Sequence, residues 1–271
     1  MKNKALRVGI IGLGCMGKTV IDTLAELSDD SRPCKVVGAL VRNTLNEGSS
    51  HDVVPICHSV ASLLAEKPDV VVECASHSAV ETYAEEILNS GVMLILASVG
   101  ALADDELYRK LKAAADSGDT SLFLPAGAVG GLDALSAAKM SGLKRVRYTG
   151  RKPLAAWVGT PAETICDLLS LKKPHSLFVG TAREVALLYP KNSNVAAAVA
   201  LAGIGMDTTE VELVADPDID ENFHEIEVFA NSGSFKISLT SKSLPANART
   251  SALAAYSMAK SVISLNNAIV I

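Results

Sequence analysis

The stretch that decides the fold is Leu6-Arg7-Val8-Gly9-Ile10-Ile11-Gly12-Leu13-Gly14-Cys15-Met16-Gly17. Its first half is an apolar run of strand length, and its second half has the spacing G-x-G-x-x-G at the start of a helix-period segment. In such a turn the first glycine permits a tight bend, the second lets a pyrophosphate approach the backbone, and the third lets helix pack on strand. The pattern predicts that Gly12 to Gly17 bind a dinucleotide. The alternative is a glycine-rich turn that binds nothing.

Up to about residue 127, short β-branched runs alternate with helix-period segments, as a parallel sheet with crossover helices requires. Further strands are predicted at Lys35–Val41, Asp69–Cys74, Val92–Ala97 and Ser121–Leu124, and helices at Met16–Leu27, Val60–Glu66, Ala79–Asn89 and Asp104–Asp116. Ser78 and Glu81 have the spacing of a capping box that would open the third helix. These features predict an α/β fold with a Rossmann-type, doubly wound parallel sheet.

The second half of the chain has a different architecture. Its predicted helices are Leu132–Met140, Asn194–Ala202 and Arg249–Leu265, with capping boxes at Thr160–Glu163 and Thr181–Glu184, and its strands are Arg145–Thr149, Glu210–Val214, His224–Phe229 and Phe235–Leu239. We therefore expect a dinucleotide-binding domain of residues 1–127 plus 246–271. A second α/β substrate domain, residues 128–245, is inserted before the C-terminal helix, and the active site is expected in the cleft.

Composition excludes several classes of protein. Of 271 residues, 49% are apolar and 20% are charged, which is typical of a globular protein. The net charge of -5 and the lack of a basic run argue against nucleic acid as a partner. The longest apolar stretch, Val195–Met206, is short of the roughly 20 residues that span a membrane. The N-terminus is interpreted as a strand and not as a signal peptide.

Cysteine usage favours a reducing cytoplasm without a structural metal, because the five cysteines form no C-x-x-C pair and lack zinc-ligand spacing. A homodimer is the default expectation for a protein of this kind.

Polar residues follow several predicted strands, where open α/β sheets bind their ligands. Arg42 stands where an NAD-selective domain usually has an acid, so it could accept the 2'-phosphate of NADP; alternatively it is a solvated strand-end residue. Ala75 and Ser98 lie in loops that are expected to line the cofactor site. Glu73 and His77 could form an acid-base pair, although their position alone supports only polar loops.

In the second half, Arg151, Lys152 and His224 are the candidates for chemistry. His224 shares its strand face with Ile226 and Val228, so from the pattern it is either a hydrogen-bonded core histidine or a catalyst. Arg151 and Lys152 could hold substrate carboxylates, or they could form a solvated basic pair at a strand end.

Five motifs occur in order along the whole chain: Val72-Glu73-Cys74-Ala75, Ser98-Val99-Gly100-Ala101-Leu102, Gly127-Ala128-Val129-Gly130, Tyr148-Thr149-Gly150-Arg151-Lys152-Pro153 and Tyr189-Pro190-Lys191-Asn192-Ser193-Asn194-Val195-Ala196-Ala197. Together they resemble the L-aspartate dehydrogenase family. The resemblance implies oxidation of L-aspartate to iminoaspartate with NAD or NADP, as a step towards pyridine nucleotides. It also implies that Ala128 and Asn194 contact the cofactor and that His224 is the active-site histidine.

Such a reaction needs a base for the α-ammonium group, and histidine titrates near neutrality. His224 is therefore expected to act as that base, or to activate the water that hydrolyses the imine to oxaloacetate and ammonia. Two alternatives remain: another two-domain dehydrogenase, such as one acting on homoserine or diaminopimelate, and a non-catalytic protein that senses NAD(H). The second should carry a DNA-reading module, for which the chain offers no spare segment or basic helix.

Overall fold

The computed structural model describes residues 5–27, 33–42, 54–244 and 247–270. These residues fold into two compact units. The first comprises the chain up to Ser98, Asp104–Pro125 and the residues from Ala255 onward. The second comprises Val99–Ala103 and Ala126–Ala254.

A six-stranded parallel sheet forms the centre of the first unit. Its strands are β1 (Leu6–Ile11), β2 (Cys34–Leu40), β3 (Ile56–Cys57), β4 (Val70–Glu73), β5 (Met93–Leu96) and β6 (Leu122–Phe123). They lie in the order β3-β2-β1-β4-β5-β6, and every neighbouring pair is parallel. The order reverses between β1 and β4, the point at which doubly wound sheets bind ligands. The predicted doubly wound parallel sheet is confirmed.

The helices of this unit are α1 (Cys15–Leu27), α2 (Val60–Ala65), α3 (His77–Asn89), α4 (Asp105–Ser117) and, from Ala255 onward, the C-terminal helix α9 (Ala252–Asn266). Buried side chains of β1, β4 and α1 form one apolar cluster with Met258, Ala259 and Val262 of α9. The C-terminal helix thus completes the core of the first unit, although it is remote in sequence.

The predicted capping box of Ser78 and Glu81 is wrong, because α3 begins two residues earlier. Ser76 is the N-cap: its backbone is extended, and its side chain accepts a hydrogen bond from the amide of Ala79. The hydroxyl of Ser78 lies 2.9 Å from that of Ser76.

The second unit contains a mixed five-stranded sheet of β7 (Leu143–Lys152), β8 (His175–Thr181), β9 (Glu210–Ala215), β10 (Asn222–Ala230) and β11 (Gly233–Ser241), with a small ladder of β12 (Ser243–Leu244) and β13 (Asn247–Ser251). The strand order is β11-β10-β7-β9-β8. Its helices are α5 (Leu132–Ser141), α6 (Ala162–Ile165), α7 (Ala182–Leu188) and α8 (Asn194–Ala202). Helices α5 and α8 pack against the sheet, on strands that include β7.

Two local predictions for this unit fail. The Thr160–Glu163 box does not form, because α6 starts after Pro161 and the Thr160 hydroxyl accepts a hydrogen bond from the amide of Ala162 (3.3 Å) in place of that of Glu163. The predicted final helix starts at Ala252 and not at Arg249, because residues 247–251 pair as a strand. The capping box of Thr181 and Glu184 is confirmed, with both reciprocal hydrogen bonds present. None of the helices in the described part of the chain combines the length and hydropathy needed to cross a membrane.

Candidate active site

The glycine turn between β1 and α1 has the geometry that its sequence predicts. Gly12 has a φ of +91°, a left-handed conformation that favours glycine. A Cβ at this position would lie 2.8 Å from the Cβ of Ala75, so the turn is pressed against the loop that follows β4. A Cβ at Gly17 would collide with the carbonyl oxygen of Gly12, which shows why the helix needs glycine there.

Gly14 faces open space, because a Cβ there would meet no heavy atom within 4 Å. The backbone at the start of α1 is therefore accessible from this side, next to the free amides and the positive end of the helix dipole. This arrangement fits the pyrophosphate of a dinucleotide. Of the other turn residues, Leu13 is buried and Cys15 and Met16 are half-buried.

A buried carboxylate joins the two loops beside this turn. Glu73, at the end of β4, is fully buried, and its Oε1 accepts hydrogen bonds from the amides of Ala75 (2.7 Å) and Ser76 (2.9 Å). The amide and hydroxyl of Ser98, after β5, donate to Oε2 (2.9 Å) and Oε1 (3.0 Å). Burial raises the pKa of Glu73, and these four bonds oppose that shift. Glu73 therefore fixes the positions of Ala75 and Ser98.

The structure gives no support to an acid-base pair of Glu73 and His77, since the Glu73 carboxylate is engaged by the two loops. Arg42 directly follows β2 and is exposed. Its contact with a 2'-phosphate stays a prediction.

In the second unit, alternation along β7 and β10 places a second group of polar side chains on one buried face. Tyr148 and Lys152 on β7 and His224 on β10 are buried, and Gly150 is the register partner of His224. The hydroxyl of Tyr148 lies 2.8 Å from Nδ1 of His224. A Cβ at Gly150 would come within 2.6 Å of that hydroxyl, so this glycine makes room for the Tyr148 ring.

Lys152 is a buried cation. Its Nζ donates to Oδ1 of Asn192 at 2.8 Å, and no carboxylate in the described part of the chain pairs with it. Burial lowers its pKa to about 8. Burial, and secondarily the charge of Lys152, lowers the pKa of His224 to about 3. The expected titration of His224 near neutrality therefore does not fit this site, because the imidazole is already neutral there.

One nitrogen of His224 stays open. Nε2 of His224 has no hydrogen-bond partner among the described residues. Among those residues, the fully buried side-chain nitrogen or oxygen that lacks a partner is Nε of Arg151, so Nε2 is not fully buried. Nε2 therefore keeps some exposure to solvent, although the His224 side chain as a whole is buried.

Arg151 and Lys152, although adjacent, point to opposite faces of the sheet. Arg151 pairs with Asp216 (3.2 Å) and packs over the ring of Phe223. Of the two predicted substrate cations, only Lys152 shares the buried face with His224. Strand alternation separates what the sequence presents as a pair.

Two further predicted contacts lie in this unit. Asn194 is the first residue of α8, and its Oδ1 accepts a hydrogen bond from the amide of Gly100 at 2.9 Å. Ala128 is buried. Their contact with a cofactor stays a prediction.

Sequence reasoning missed Tyr148 and Asn192 as site residues. Both stand inside the quoted motifs: Tyr148 is three positions before Arg151, and Asn192 is two positions before Asn194. The usable signal for Tyr148 was its spacing of four from Lys152 on an alternating strand, which puts both on one face.

Comparison with known proteins agrees with this architecture. Residues 133–265 match the family described as "Aspartate dehydrogenase, C-terminal", and residues 12–125 match "Homoserine dehydrogenase, NAD binding domain". L-aspartate dehydrogenase of Pseudomonas aeruginosa is 42% identical over 95% of this chain and 96% of its own length. The chain belongs to the L-aspartate dehydrogenase family. Another member, from a Polaromonas species, is 40% identical over 98% of this chain and 100% of its own.

Solved structures support the same assignment. Aspartate dehydrogenase from Thermotoga maritima superimposes with a TM-score of 0.76 at 29% identity, covering 98% of this chain and 99% of that one. A hyperthermophilic archaeal homoserine dehydrogenase in complex with NADPH has a TM-score of 0.62 at 13% identity, covering 96% and 97%. The latter likeness shows a shared fold. The family is one of oxidoreductases that act on a CH-NH2 group with NAD or NADP.

The two glycines of the turn are expected to separate cofactor binding from stability. Gly14→Val should abolish NAD binding in calorimetric titration and leave the melting temperature unchanged, because its side chain fills open space at the pyrophosphate site. Gly17→Ala should lower the free energy of unfolding by about 1–3 kcal/mol, because its Cβ collides with the turn. A Gly14→Val protein that binds NAD normally would contradict the proposed phosphate site.

Glu73→Gln is expected to weaken NAD binding about tenfold, since one end of the glutamine amide cannot accept a hydrogen bond from the loop amides. Glu81→Gln, on the exposed surface of α3, is the matched control. Binding is measured by calorimetry beside thermal unfolding of each variant. Unchanged NAD affinity in a folded Glu73→Gln protein would show that the two loops do not need this carboxylate.

Proposed function

We propose that this protein catalyses the oxidation of L-aspartate to iminoaspartate with NAD or NADP. The observation that carries the proposal is the buried ammonium of Lys152, which lacks an acidic partner in the described residues and shares a sheet face with His224. A buried cation calls for an anion, and in a chain of this family the dicarboxylate aspartate supplies one.

The cofactor is assigned to the residues of the glycine turn, Gly12, Leu13, Gly14, Cys15, Met16 and Gly17, with Ala75 and Ser98 beside it. Arg42, Ala128 and Asn194 are its further proposed contacts, and Arg42 is the residue that would favour NADP. When bound, the nicotinamide ring accepts the hydride that leaves Cα of the substrate.

Lys152 is proposed to hold a carboxylate of the substrate, with Asn192 fixing the direction of the ammonium group. Arg151 is left out of this role, because it is engaged by Asp216 on the other face. His224 is proposed as the active-site residue that contacts the substrate through its open Nε2. In the net reaction, the α-ammonium releases one proton to solvent water and Cα loses a hydride, which leaves a carbon-nitrogen double bond in the product.

We further propose a homodimer in the cytoplasm, with a role in the synthesis of pyridine nucleotides. The product is a reactive imine, so it either hydrolyses to oxaloacetate and ammonia or is consumed at once by the next reaction. The cofactor domain is proposed to comprise residues 1–127 plus 246–271, and the substrate domain residues 128–245.

Steady-state turnover tests the proposed activity. L-Aspartate should produce NADH or NADPH at 340 nm, whereas D-aspartate, L-glutamate and L-homoserine should react at less than about a hundredth of that kcat/KM. NAD and NADP are compared in parallel. Faster turnover of L-homoserine would favour a homoserine dehydrogenase, and NAD(H) binding without any turnover would favour a sensor.

The state of Lys152 should control dicarboxylate binding. Its pKa is lowered to about 8, so the ammonium is charged below that pH and neutral above it. Succinate, which is aspartate without the amine, should therefore bind the NAD-saturated protein well at pH 7 and progressively less well as the pH rises above about 8.

Calorimetric titration from pH 7 to 10 measures this effect. Lys152→Met should bind succinate weakly at every pH, and Lys144→Met, at an exposed position of β7, should behave like the unmodified protein. Tight succinate binding by Lys152→Met would exclude Lys152 as the carboxylate partner.

A further inference from the structure

We propose that Tyr148 holds His224 in the tautomer whose proton is on Nε2, so that His224 meets the substrate as a hydrogen-bond donor and not as a proton acceptor. The inference rests on the proposed function only for the identity of the substrate. Tyr148 is a positioning residue in this account, since it acts through His224.

The hydroxyl of Tyr148 is buried beside His224. It lies 2.8 Å from Nδ1 of His224, and no second hydrogen-bond partner is found across residues 5–27, 33–42, 54–244 and 247–270. If Nδ1 carried the proton, it would donate to the tyrosine oxygen and leave the hydroxyl proton unpaired inside the protein. An unpaired buried donor costs about 1–3 kcal/mol. The arrangement in which Tyr148 donates to a bare Nδ1 is therefore favoured.

The geometry of the two rings leaves one nitrogen of His224 to other molecules. The rings of Tyr148 and His224 are nearly parallel, with an angle of 18° and a centroid distance of 6.0 Å. Gly150, which pairs with His224 across the ladder, leaves the space in which the tyrosine hydroxyl sits. Because the Tyr148 hydroxyl occupies Nδ1, the imidazole offers only Nε2 to other molecules.

Burial also determines the protonation states of Tyr148 and His224. Burial raises the pKa of Tyr148 above its usual range, so the phenol keeps its proton and remains a donor. Burial lowers the pKa of His224 to about 3, and the charge of Lys152 acts in the same direction. A second positive charge beside the Lys152 ammonium is thus disfavoured, and the neutral imidazole with a proton on Nε2 is the stable form.

Lys152 and His224 thus have different roles on one sheet face. Lys152 supplies the charge that attracts a carboxylate, and His224 supplies a directed N–H for an oxygen of the same substrate. A glutamine can place an amide N–H close to where Nε2 stands, whereas an alanine cannot.

Nitrogen NMR of the ligand-free protein tests the tautomer directly. In protein labelled with 15N-histidine, the His224 ring is assigned by comparison with His224→Gln. At about pH 7.5, close to neutrality, Nε2 should give the signal of a protonated nitrogen. Nδ1 should give the signal of an unprotonated nitrogen that accepts a hydrogen bond. A proton on Nδ1 would overturn the proposal. This result does not depend on turnover, so it stands apart from the test of the proposed activity.

Kinetics then test the role. His224→Gln should retain at least about tenfold more kcat/KM for L-aspartate than His224→Ala, because it keeps a donor. Tyr148→Phe should lower kcat/KM about threefold to tenfold, leave NAD affinity unchanged, and give His224 nitrogen signals of mixed tautomers. Equal losses in His224→Gln and His224→Ala, with both proteins folded and binding NAD, would overturn the donor role.

Discussion

The alternation of side chains along the paired strands β7 and β10 is the constraint on which the site depends. It places a phenol, an amine and an imidazole on one buried face, and it places Arg151 on the other. Since the face is buried, charge is disfavoured there, and the imidazole is kept neutral. The apolar sheet is thus what gives Lys152 and His224 their chemical character.

In the first unit, a buried ionisable group is surrounded by hydrogen-bond donors. The carboxylate of Glu73 is as deeply buried as His224, yet it receives four hydrogen bonds from two loops. Those donors take the place of water, so the carboxylate can hold the two loops in position beside the glycine turn. Lys152, by contrast, has one polar partner among the described residues, the side-chain oxygen of Asn192. The Glu73 carboxylate, whose hydrogen-bonding capacity is used by the two loops, thus has a structural role, whereas the Lys152 ammonium still has protons to donate.

Local patterns predicted most of the fold correctly. The β1 run, the glycine turn and helix α8 are found at the predicted positions, because period and spacing determine them locally. Errors occurred where a neighbour decides the outcome: residues 247–251 pair with β12, and Ser76 caps α3 in place of Ser78. His224 was identified by resemblance, but its tyrosine partner depends on the register of β10 with β7. A single sequence does not reveal that register.

A pH titration of His224, followed by NMR of its ring carbon-bound protons in the ligand-free protein, tests the central claim most directly. Burial and the neighbouring Lys152 ammonium keep this imidazole neutral. We therefore expect no titration of His224 between about pH 5 and pH 9. A His224 titration midpoint near 6.5 would contradict the account, because the ring would then be solvated and able to take up a proton during catalysis.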